Sequence, residues 1–420
     1  MRLTWLVLLV VTVCGSTAWG QTRAALTIDQ AVDRALEHNL AVLAERVNLS
    51  IADARLVTAR LRPNPVFSLG ADHLDWLGTG YDQVNNAGPP EYSARTDFLF
   101  ERGGKRARRI DLATAVRTTS QLLFEDRVRQ LTLDVQTACA DVLRARSTLA
   151  LAQDSLAALN DLVRLNEQRV RAGDLAAVEL LRTQLAQLQF ETTVRQAEVG
   201  LRVARTRLQA LIGLAATDPL PEIEDDPSRV RPAVDLADVT ARALAQRPDL
   251  LAARAEQARS QAEVRLQLAQ GLVDYSVGAE YRRQQGVAGK GNSIGVFFSS
   301  NLPLFNRNQG EIARARAEQQ QLELQGAVLE RNVRQDVDTS FAQYEASRAI
   351  LDRLEASMLD RAREVRRITE YSYRRGEASL IEYLDAQRAY NDTMQTYNDA
   401  RADFARSVFQ LRAAAGDRRP

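Results

Sequence analysis

Apolar and polar positions recur along most of this chain with the three- and four-residue spacing of amphipathic helices. The longest such stretch runs from about Lys105 to Arg171 and contains no proline and no internal glycine. At 1.5 Å per residue, a helix of roughly 67 residues would span about 100 Å. The remaining helical stretches are Thr27–Arg62, Leu175–Ile212, Leu236–Gln270, Gln309–Arg375 (with Gly326 in its interior) and Ala378–Ala415. The pattern therefore predicts a mainly α protein with very long helices.

Four short segments instead alternate with period two, which predicts β-strands. They lie near Pro65–Trp76, Tyr92–Phe100, Val273–Arg282 and Asn292–Leu304, and turn-rich loops join each pair into a hairpin. Soluble hairpins show the same alternation, but a length of about ten residues also suits a tilted transmembrane strand. Four strands cannot close a barrel, and an open edge in lipid leaves backbone groups without partners. If these strands cross a membrane, other chains must complete the barrel.

The chain contains an internal duplication. The twelve residues that begin at Gly173 (GDLAAVELLRTQ) are matched by those that begin at Gly376 (GEASLIEYLDAQ). The offset of roughly 200 residues is far longer than the 20–50-residue period of solenoid repeats. We therefore expect two similar half-structures rather than a repeat array.

The first twenty residues resemble a secretory signal, with one basic residue, an apolar run and Ala18-Trp19-Gly20 before Gln21. Alternatives are a buried N-terminal helix and lipid attachment at Cys14. Without Arg2 the chain has 54 basic and 54 acidic residues, which gives no electrostatic footprint for nucleic acid. Cys139 then remains alone, so an intrachain disulfide is excluded and we expect a small packed residue.

The search for catalytic, cofactor or metal motifs yields none, which argues against an enzyme. The two histidines, His38 and His73, are far apart in sequence, and the glycine-rich segment 286–291 lacks the spacing of a phosphate-binding loop. The segment Gly103-Gly104-Lys105-Arg106 opens a helix, where it is either an anion site or a strand-to-helix turn.

Several motifs resemble those of the TolC-like outer-membrane factors, or outer membrane efflux proteins, and the resemblance covers nearly the whole chain. They are Leu26-Thr27-Ile28 with Ala35-Leu36, Arg247-Pro248-Asp249-Leu250, Leu302-Pro303-Leu304-Phe305 and Ile381–Gln387. Two further stretches, Phe100–Arg106 and Pro303–Ile312, are similar to the heavy-metal branch that serves cobalt–zinc–cadmium pumps.

The resemblance implies a homotrimer in the outer membrane of a Gram-negative bacterium, with a large periplasmic part. Very long antiparallel helices would form a trimeric α-barrel, and each protomer would contribute four strands to a 12-stranded transmembrane β-barrel. The function implied is a passive exit duct without cofactors, for heavy-metal cations. Its partners would be a periplasmic membrane-fusion (adaptor) protein and an inner-membrane pump of the proton-driven RND type. Alternatives are drug or solvent efflux, type I secretion, and a periplasmic coiled-coil adaptor or structural protein.

The expected organisation follows the duplication. Residues 1–20 form the signal peptide, 21–213 the first repeat with its hairpin at about 65–100, and 214–235 an equatorial linker. Residues 236–416 form the second repeat with its hairpin at about 273–304, and 417–420 a tail.

The resemblance also assigns site residues at the two helix–turn–helix corners. The periplasmic tip that contacts the adaptor would comprise Arg171, Ala172, Gly173, Asp174, Arg374, Arg375, Gly376 and Glu377.

The pore constriction would lie just beyond this tip. A ring of Glu382 and Asp385 from three chains would narrow the pore and favour cations. Glu179 and Tyr373 would help to hold neighbouring helices closed. Relatives place an arginine two residues after the second tip glycine, where this chain has Ala378, so Arg374 or Arg375 is the expected substitute.

Overall fold

The computed structural model describes residues 25–78, 80, 89–215, 217–286 and 289–417. The expected signal peptide, Cys14, the end of the tail and most of the first hairpin loop lie outside the described residues. The helices in the described part are α1 (Ile28–His38), α2 (Leu40–Arg60), α3 (Lys105–Ala172), α4 (Ala177–Leu211), α5 (Leu236–Gln246), α6 (Pro248–Gln270), α7 (Gln309–Arg353), α8 (Leu359–Arg375) and α9 (Leu380–Ala415). The strands are β1 (Ala25–Leu26), β2 (Val66–Asp72), β3 (Glu91–Phe100), β4 (Glu222–Ile223), β5 (Tyr275–Gly286) and β6 (Gly289–Ser300).

The mainly helical prediction is confirmed, but two predicted helices are each split in two. The stretch predicted over Thr27–Arg62 breaks at Asn39, whose side chain accepts hydrogen bonds from the first amides of α2 and so begins a new helix. The stretch predicted over Leu236–Gln270 breaks at Arg247, which is extended because a proline follows it. Pro248 then occupies the first position of α6, where its missing N–H costs nothing.

Gly326, inside the stretch predicted over Gln309–Arg375, does not break the helix. Gly326 lies inside α7, where the missing side chain leaves room for Gln257 of α6. The helix changes instead at Leu354–Met358, a single π-helical turn between α7 and α8. Nothing in the sequence pattern marks this turn, since its residues are good helix formers.

The four predicted strands form one antiparallel sheet in the order β2-β3-β5-β6. The strand ends differ from the prediction, because Trp76 and Leu304 lie outside the strands. The central pairing of β3 with β5 joins the two repeats, with Phe98 opposite Val277. The edges of the sheet are β2 and β6, and neither edge has a partner within the described chain.

The two faces of the sheet differ in polarity, as the alternation predicts. One face is apolar and exposed: Phe67, Leu69, Phe98, Val277, Tyr281, Ile294, Val296 and Phe298. The other face carries mostly small and charged side chains, together with Val66, Leu99 and Phe297. Monomeric soluble proteins rarely expose an apolar surface of this extent.

The segment Gly103-Gly104-Lys105-Arg106 is a strand-to-helix turn. Both glycines have positive φ, and the Lys105 ammonium group donates to the Asp274 carboxylate at 2.7 Å and to the Leu272 carbonyl at 2.8 Å. Lys105 is buried by these contacts. The turn therefore attaches α3 to the start of β5, and the anion-site alternative finds no support in this pairing.

Two apolar cores are centred on equivalent positions of the two repeats, and the first core also includes Ala405 and Phe409 of α9. Leu131 and Val135 of α3 are buried in one, and Val333 and Val337 of α7 in the other. Cys139 belongs to the first core, and burial raises the pKa of its thiol to about 12. The expectation of a packed, unreactive cysteine is thus confirmed.

A short parallel pair, β1 with β4, was not predicted from the sequence. It fastens the start of α1 to the linker between the repeats, where the Asp225 carboxylate accepts from the Ile28 amide at 2.6 Å. Strands of two residues carry no periodicity, so only the three-dimensional structure shows them.

Candidate functional site

The two predicted corners are both tight turns with the same backbone geometry. Gly173 and Gly376 have φ of +83° and +79°, which L side chains rarely adopt. In the first turn the Asp174 amide donates to the Arg169 carbonyl at 2.8 Å, and in the second the Glu377 amide donates to the Ser372 carbonyl at 2.9 Å. Both helices therefore end in the glycine motif that satisfies their last carbonyls.

The helices that follow the turns begin differently. In α9 the Ser379 hydroxyl accepts from the Glu382 amide, and the Glu382 carboxylate accepts from the Ser379 amide at 2.7 Å. These hydrogen bonds hold the pKa of Glu382 below its usual range, because they favour the ionised carboxylate. In α4 the equivalent position is Ala176, which provides no side-chain cap. The second turn is therefore the better fixed of the two.

The predicted constriction acids lie one turn apart on α9. Glu382 and Asp385 are both exposed, and their three-residue spacing places them on neighbouring positions of one helix face. The Asp385 carboxylate is 66% exposed and 3.6 Å from Arg388. On α4, Glu179 pairs with Arg182 at 3.0 Å. Within one chain, none of these three acids forms a hydrogen bond with Tyr373.

Tyr373 belongs instead to a buried polar network. Its hydroxyl donates to the Asn166 side-chain oxygen at 2.9 Å, and the Asn166 amide donates to the Thr183 hydroxyl at 2.9 Å. Asn166 and Thr183 are fully buried, and Tyr373 is 3% exposed. Burial raises the pKa of Tyr373. The network connects α8, α3 and α4, so the two corners of one chain form a single unit.

Arg169 adds a second connection between the corners. Its guanidinium donates to the carbonyls of Tyr373 at 3.3 Å and Arg374 at 2.5 Å, which are among the last carbonyls of α8. It also lies 5.6 Å from the centre of the Tyr373 ring. The expected substitutes are engaged locally, since Arg374 pairs with Glu370 and Arg375 stacks on Tyr371.

The sequence analysis missed Asn166, Arg169 and Thr183. A signal was present for Asn166, because it continues the buried row of α3 that includes Leu159 and Leu162. A polar residue in such a row requires a hydrogen-bonding partner. The partner belongs to another helix, and the sequence does not identify it.

A small apolar core lies beside this network. Tyr383 of α9 packs against Tyr373 with 5.5 Å between ring centres, and Leu159, Leu162 and Leu380 surround the pair. Desolvation raises the pKa of Tyr383 to about 12. The corners are thus held by both packing and hydrogen bonds.

Apolar residues remain exposed on α4 and along α7 and α8, beyond the two corners. Within each run they are three or four residues apart, and longer gaps separate the runs. On α4 they are Val178, Leu181, Leu185, Leu188, Val199 and Val203, and on α7 and α8 they are Leu324, Val328, Ile350, Val365 and Ile368. Such stripes are typical of helices that pack against a further helix.

Two features that a transporter or metalloprotein can carry are not seen in the described ranges. No helix there has both the length and the apolar composition to cross a bilayer. Over the same ranges, no group of three or more histidine, cysteine, aspartate or glutamate side chains could hold a metal ion.

A family model described as outer membrane efflux protein matches residues 31–214 and 239–417, which is most of both repeats. One similar relative is the cobalt-zinc-cadmium resistance protein CzcC of Cupriavidus metallidurans, 25% identical over 367 residues that cover 86% of this chain and 83% of CzcC. Another is the pyoverdine export outer membrane protein OpmQ of Pseudomonas putida, 25% identical over 404 residues, 88% of this chain and 82% of OpmQ.

The fold is also similar to that of solved channels. The outer membrane channel CmeC of Campylobacter jejuni superposes with a TM-score of 0.78 at 14% identity, covering 93% of this chain and 86% of CmeC. At this identity the likeness concerns the fold alone.

Proposed function

The chain belongs to the outer membrane efflux protein family, and from that premise we propose that three copies of it form the passive exit duct of a tripartite efflux system. The observation that carries the proposal is the four-stranded sheet, which has one exposed apolar face and two free edges. An apolar face of this kind suits lipid, whereas free edges in lipid are too costly to persist. Pairing β2 of one copy with β6 of the next removes every edge, and three copies give twelve strands.

The exposed helix stripes support the same assembly. In a closed ring, the stripe on α4 of one copy would pack against the stripe on α7 and α8 of the next. Burying a leucine side chain contributes about 1.5–3 kcal/mol, so several residues on each stripe supply a stable interface. The helices then form a barrel that continues the sheet into the periplasm.

The corners would form the periplasmic end of this barrel. The segments Arg171–Asp174 and Arg374–Glu377 are the proposed contact with a periplasmic adaptor protein. Glu382 and Asp385 are the proposed constriction, with Glu179 and Tyr373 holding the closed state. The chain carries no nucleotide motif in its sequence. Energy would therefore come from an inner-membrane pump, for which the RND type is proposed.

The duplication supports the proposed organisation. Residues 21–213 and 236–416 are the two repeats, residues 214–235 are the equatorial linker, and residues 1–20 are the export signal. Each repeat supplies one hairpin and one pair of long helices.

We propose heavy-metal cations as the cargo, on the similarity to the cobalt-zinc-cadmium resistance protein and on the acidic pair at the constriction. The second candidate is an organic molecule, as in the pyoverdine export outer membrane protein OpmQ, which has the same 25% identity to this chain as CzcC. The described part of the chain shows no group of side chains that could hold a metal ion, and either cargo is compatible with this, since a duct passes what its pump selects.

Growth and conductance together test the proposal. The chain, with its own signal, is expressed in a host that lacks its efflux duct, and growth is measured on cobalt, zinc and cadmium salts and on an organic toxin. Metal resistance without change toward the toxin supports the metal cargo, and the reverse result supports the second candidate. Detergent-extracted protein that never conducts in a planar bilayer would refute the duct itself.

A further inference from the structure

The polar face of the sheet carries an ordered group of charged side chains, far along the chain from the constriction acids. We call this group the charged belt, and it consists of Asp72, Glu91, Arg95, Asp97, Glu280 and Arg282. The register places all six on the face opposite the exposed apolar residues. In the proposed trimer the apolar face meets lipid, so the belt faces the lumen.

Arg95 is held in one position by three contacts. Its guanidinium donates to both oxygens of the Asp97 carboxylate at 2.8 Å and lies 4.2 Å from the centre of the Phe297 ring. It also lies directly opposite Glu280 in the register. The paired carboxylates and the covering ring leave this cation little capacity to attract a passing anion.

The backbone provides space for this arrangement. Gly278 lies directly between Asp97 and Phe297, and a Cβ at that position would overlap the Asp97 carboxylate. Gly295 similarly leaves room for the Phe297 ring, the aromatic side chain that lies on the polar face. Gly278 thus leaves room for the Asp97 carboxylate, and Gly295 leaves room for the ring that covers Arg95.

Arg282 is also engaged by carboxylates. It pairs with Glu280 at 2.9 Å and with Glu91 at 3.5 Å, and Glu280 is largely buried by these neighbours. Both arginines are therefore offset by acids, and the belt contains four carboxylates against two guanidinium groups. Its formal net charge is negative in each chain.

Two acids of the belt lie directly opposite each other, Asp72 on β2 and Glu91 on β3. Like charges in such a cross-strand pair repel each other. Arg282 attracts both carboxylates as well as that of Glu280, and so offsets part of this repulsion. One arginine thus faces three acids, which leaves an excess of negative charge on this part of the polar face.

We propose that the charged belt is a second selectivity-determining element, which makes the outer-membrane part of the duct favour cations over anions. The proposal rests on the proposed trimeric duct and adds a filter at the end of the molecule away from the tip. Each copy contributes two excess negative charges, and three copies place them around one lumen. The low-dielectric wall of the lumen strengthens their field.

The test adds one lysine to either face of β6. Ser293 lies on the polar face beside Arg282, whereas its neighbour Asn292 lies on the opposite face. Ser293→Lys, Asn292→Lys and the unchanged protein are each placed in planar bilayers under a KCl gradient, and the reversal potential is measured. Both substitutions are also made with Glu382→Gln and Asp385→Asn, so that the tip acids do not obscure the result.

We expect Ser293→Lys to lower the cation-to-anion permeability ratio by about twofold or more, with Asn292→Lys unchanged. Asp72→Asn, which removes one exposed acid and breaks no arginine pair, should lower the ratio in the same direction. Conducting pores with equal reversal potentials for Ser293→Lys, Asp72→Asn and the unchanged protein would overturn the belt but leave the duct. An unchanged protein that forms no pore would overturn the duct and the belt together.

Discussion

At the residue scale, Asn166 is the centre of the tip. Its side chain accepts from Tyr373 and donates to Thr183, so one residue joins three helices in a site from which water is excluded. Removing Asn166 leaves the buried Tyr373 hydroxyl without its partner, which costs about 1–3 kcal/mol, whereas the Thr183 hydroxyl still donates to the Glu179 carbonyl. The polar network is therefore the part of the tip most sensitive to a single substitution.

We expect Asn166→Ala to loosen the corners and to increase the time that the pore spends open. Tyr373→Phe, which removes one hydroxyl, should have a smaller effect in the same direction. The control is Tyr371→Phe, since Tyr371 is 53% exposed. Single-channel recordings measure the open fraction, and an Asn166→Ala pore that matches the control would show that the network does not hold the tip.

Glu382 has two roles in this account that substitutions can separate. Glu382→Gln retains an acceptor for the Ser379 amide, as Gln30 does for Thr27 in α1, whereas Glu382→Ala does not. We expect Glu382→Gln to lower cation preference but to preserve the start of α9. Glu382→Ala should both lower cation preference and loosen the start of α9. Reversal potentials and hydrogen exchange of the amides at 380–383 measure the two effects.

The pH dependence of this cap follows from the lowered pKa of Glu382. A carboxyl group whose pKa is lower in the folded state adds stability above its unfolded pKa and loses it as pH falls through the folded value. Amide exchange at the start of α9 should therefore rise on acidification below the usual glutamate range. In Glu382→Gln the exchange, after correction for its intrinsic pH dependence, should stay constant, and an acid-induced rise there would contradict the assignment.

At the element scale, the π-helical turn at Leu354–Met358 is the feature that breaks the symmetry of the repeats. The equivalent helix of the first repeat, α3, runs for 68 residues without interruption. Arg231 of the linker pairs with Asp352 and Glu355 at the start of this turn, and the Tyr344 hydroxyl donates to the neighbouring Pro232 carbonyl. The linker thus supports the second long helix where its hydrogen bonding changes.

We expect Arg231→Ala to increase hydrogen exchange at residues 351–358 and to leave α3 unchanged. Arg231 is about one-third exposed, so the loss should be modest, on the order of 0.2–1 kcal/mol. Arg229→Ala is the matched control, because Arg229 is 83% exposed and pairs only with its neighbour Asp226. Equal exchange in both variants would show that the linker does not stabilise the turn.

Hydrophobic periodicity was sufficient to predict the helices and strands whose two faces differ in polarity. The long helices and the alternating strands follow from it, and so does the face assignment of Val277 and Glu280. It could not predict the break at Arg247 or the strand pair at Ala25–Leu26, which depend on a single proline and on a distant segment. The internal duplication and the family resemblance located the tip glycines. They missed Arg169, because its partners are carbonyl groups of a helix about 200 residues further along the chain.

At the scale of the whole molecule, one chain leaves surfaces that the proposed trimer would cover. The sheet has two free edges and an exposed apolar face, and the helices expose apolar stripes. In the proposed ring each edge and each stripe would meet its complement on the next copy, and the apolar face would meet lipid. We therefore expect that replacing residues of a stripe impairs assembly but barely affects the folding of a single copy.

Substitutions in the apolar stripe on α4 test this expectation. Leu181 and Leu185 are 64% and 59% exposed in one chain, so replacing both with serine should barely affect its folding. In the ring each lost side chain should cost about 1.5–3 kcal/mol at the interface. Light scattering in detergent should then show monomers, with Gln184→Ser as the control that stays trimeric. A trimer of unchanged stability would exclude this stripe from the interface.

A disulfide between β2 of one copy and β6 of the next is the most direct test of the proposed ring. Ser68 of β2 is replaced by cysteine together with one polar-face residue of β6, taken in turn from Ser293, Gly295 and Ser299. Within one chain β2 and β6 are three strand spacings apart, about 14 Å, which is too far for a disulfide. The native Cys139 is buried, and Cys14 lies in the expected signal peptide, so the engineered cysteines are the ones expected to form the bond.

The proposed ring predicts that at least one pair gives a covalent trimer on a non-reducing gel, and that neither single-cysteine parent does. The trimer should disappear on reduction. Monomers alone at every pairing, from protein extracted from the outer membrane, would contradict a barrel closed by β2 and β6 of neighbouring copies.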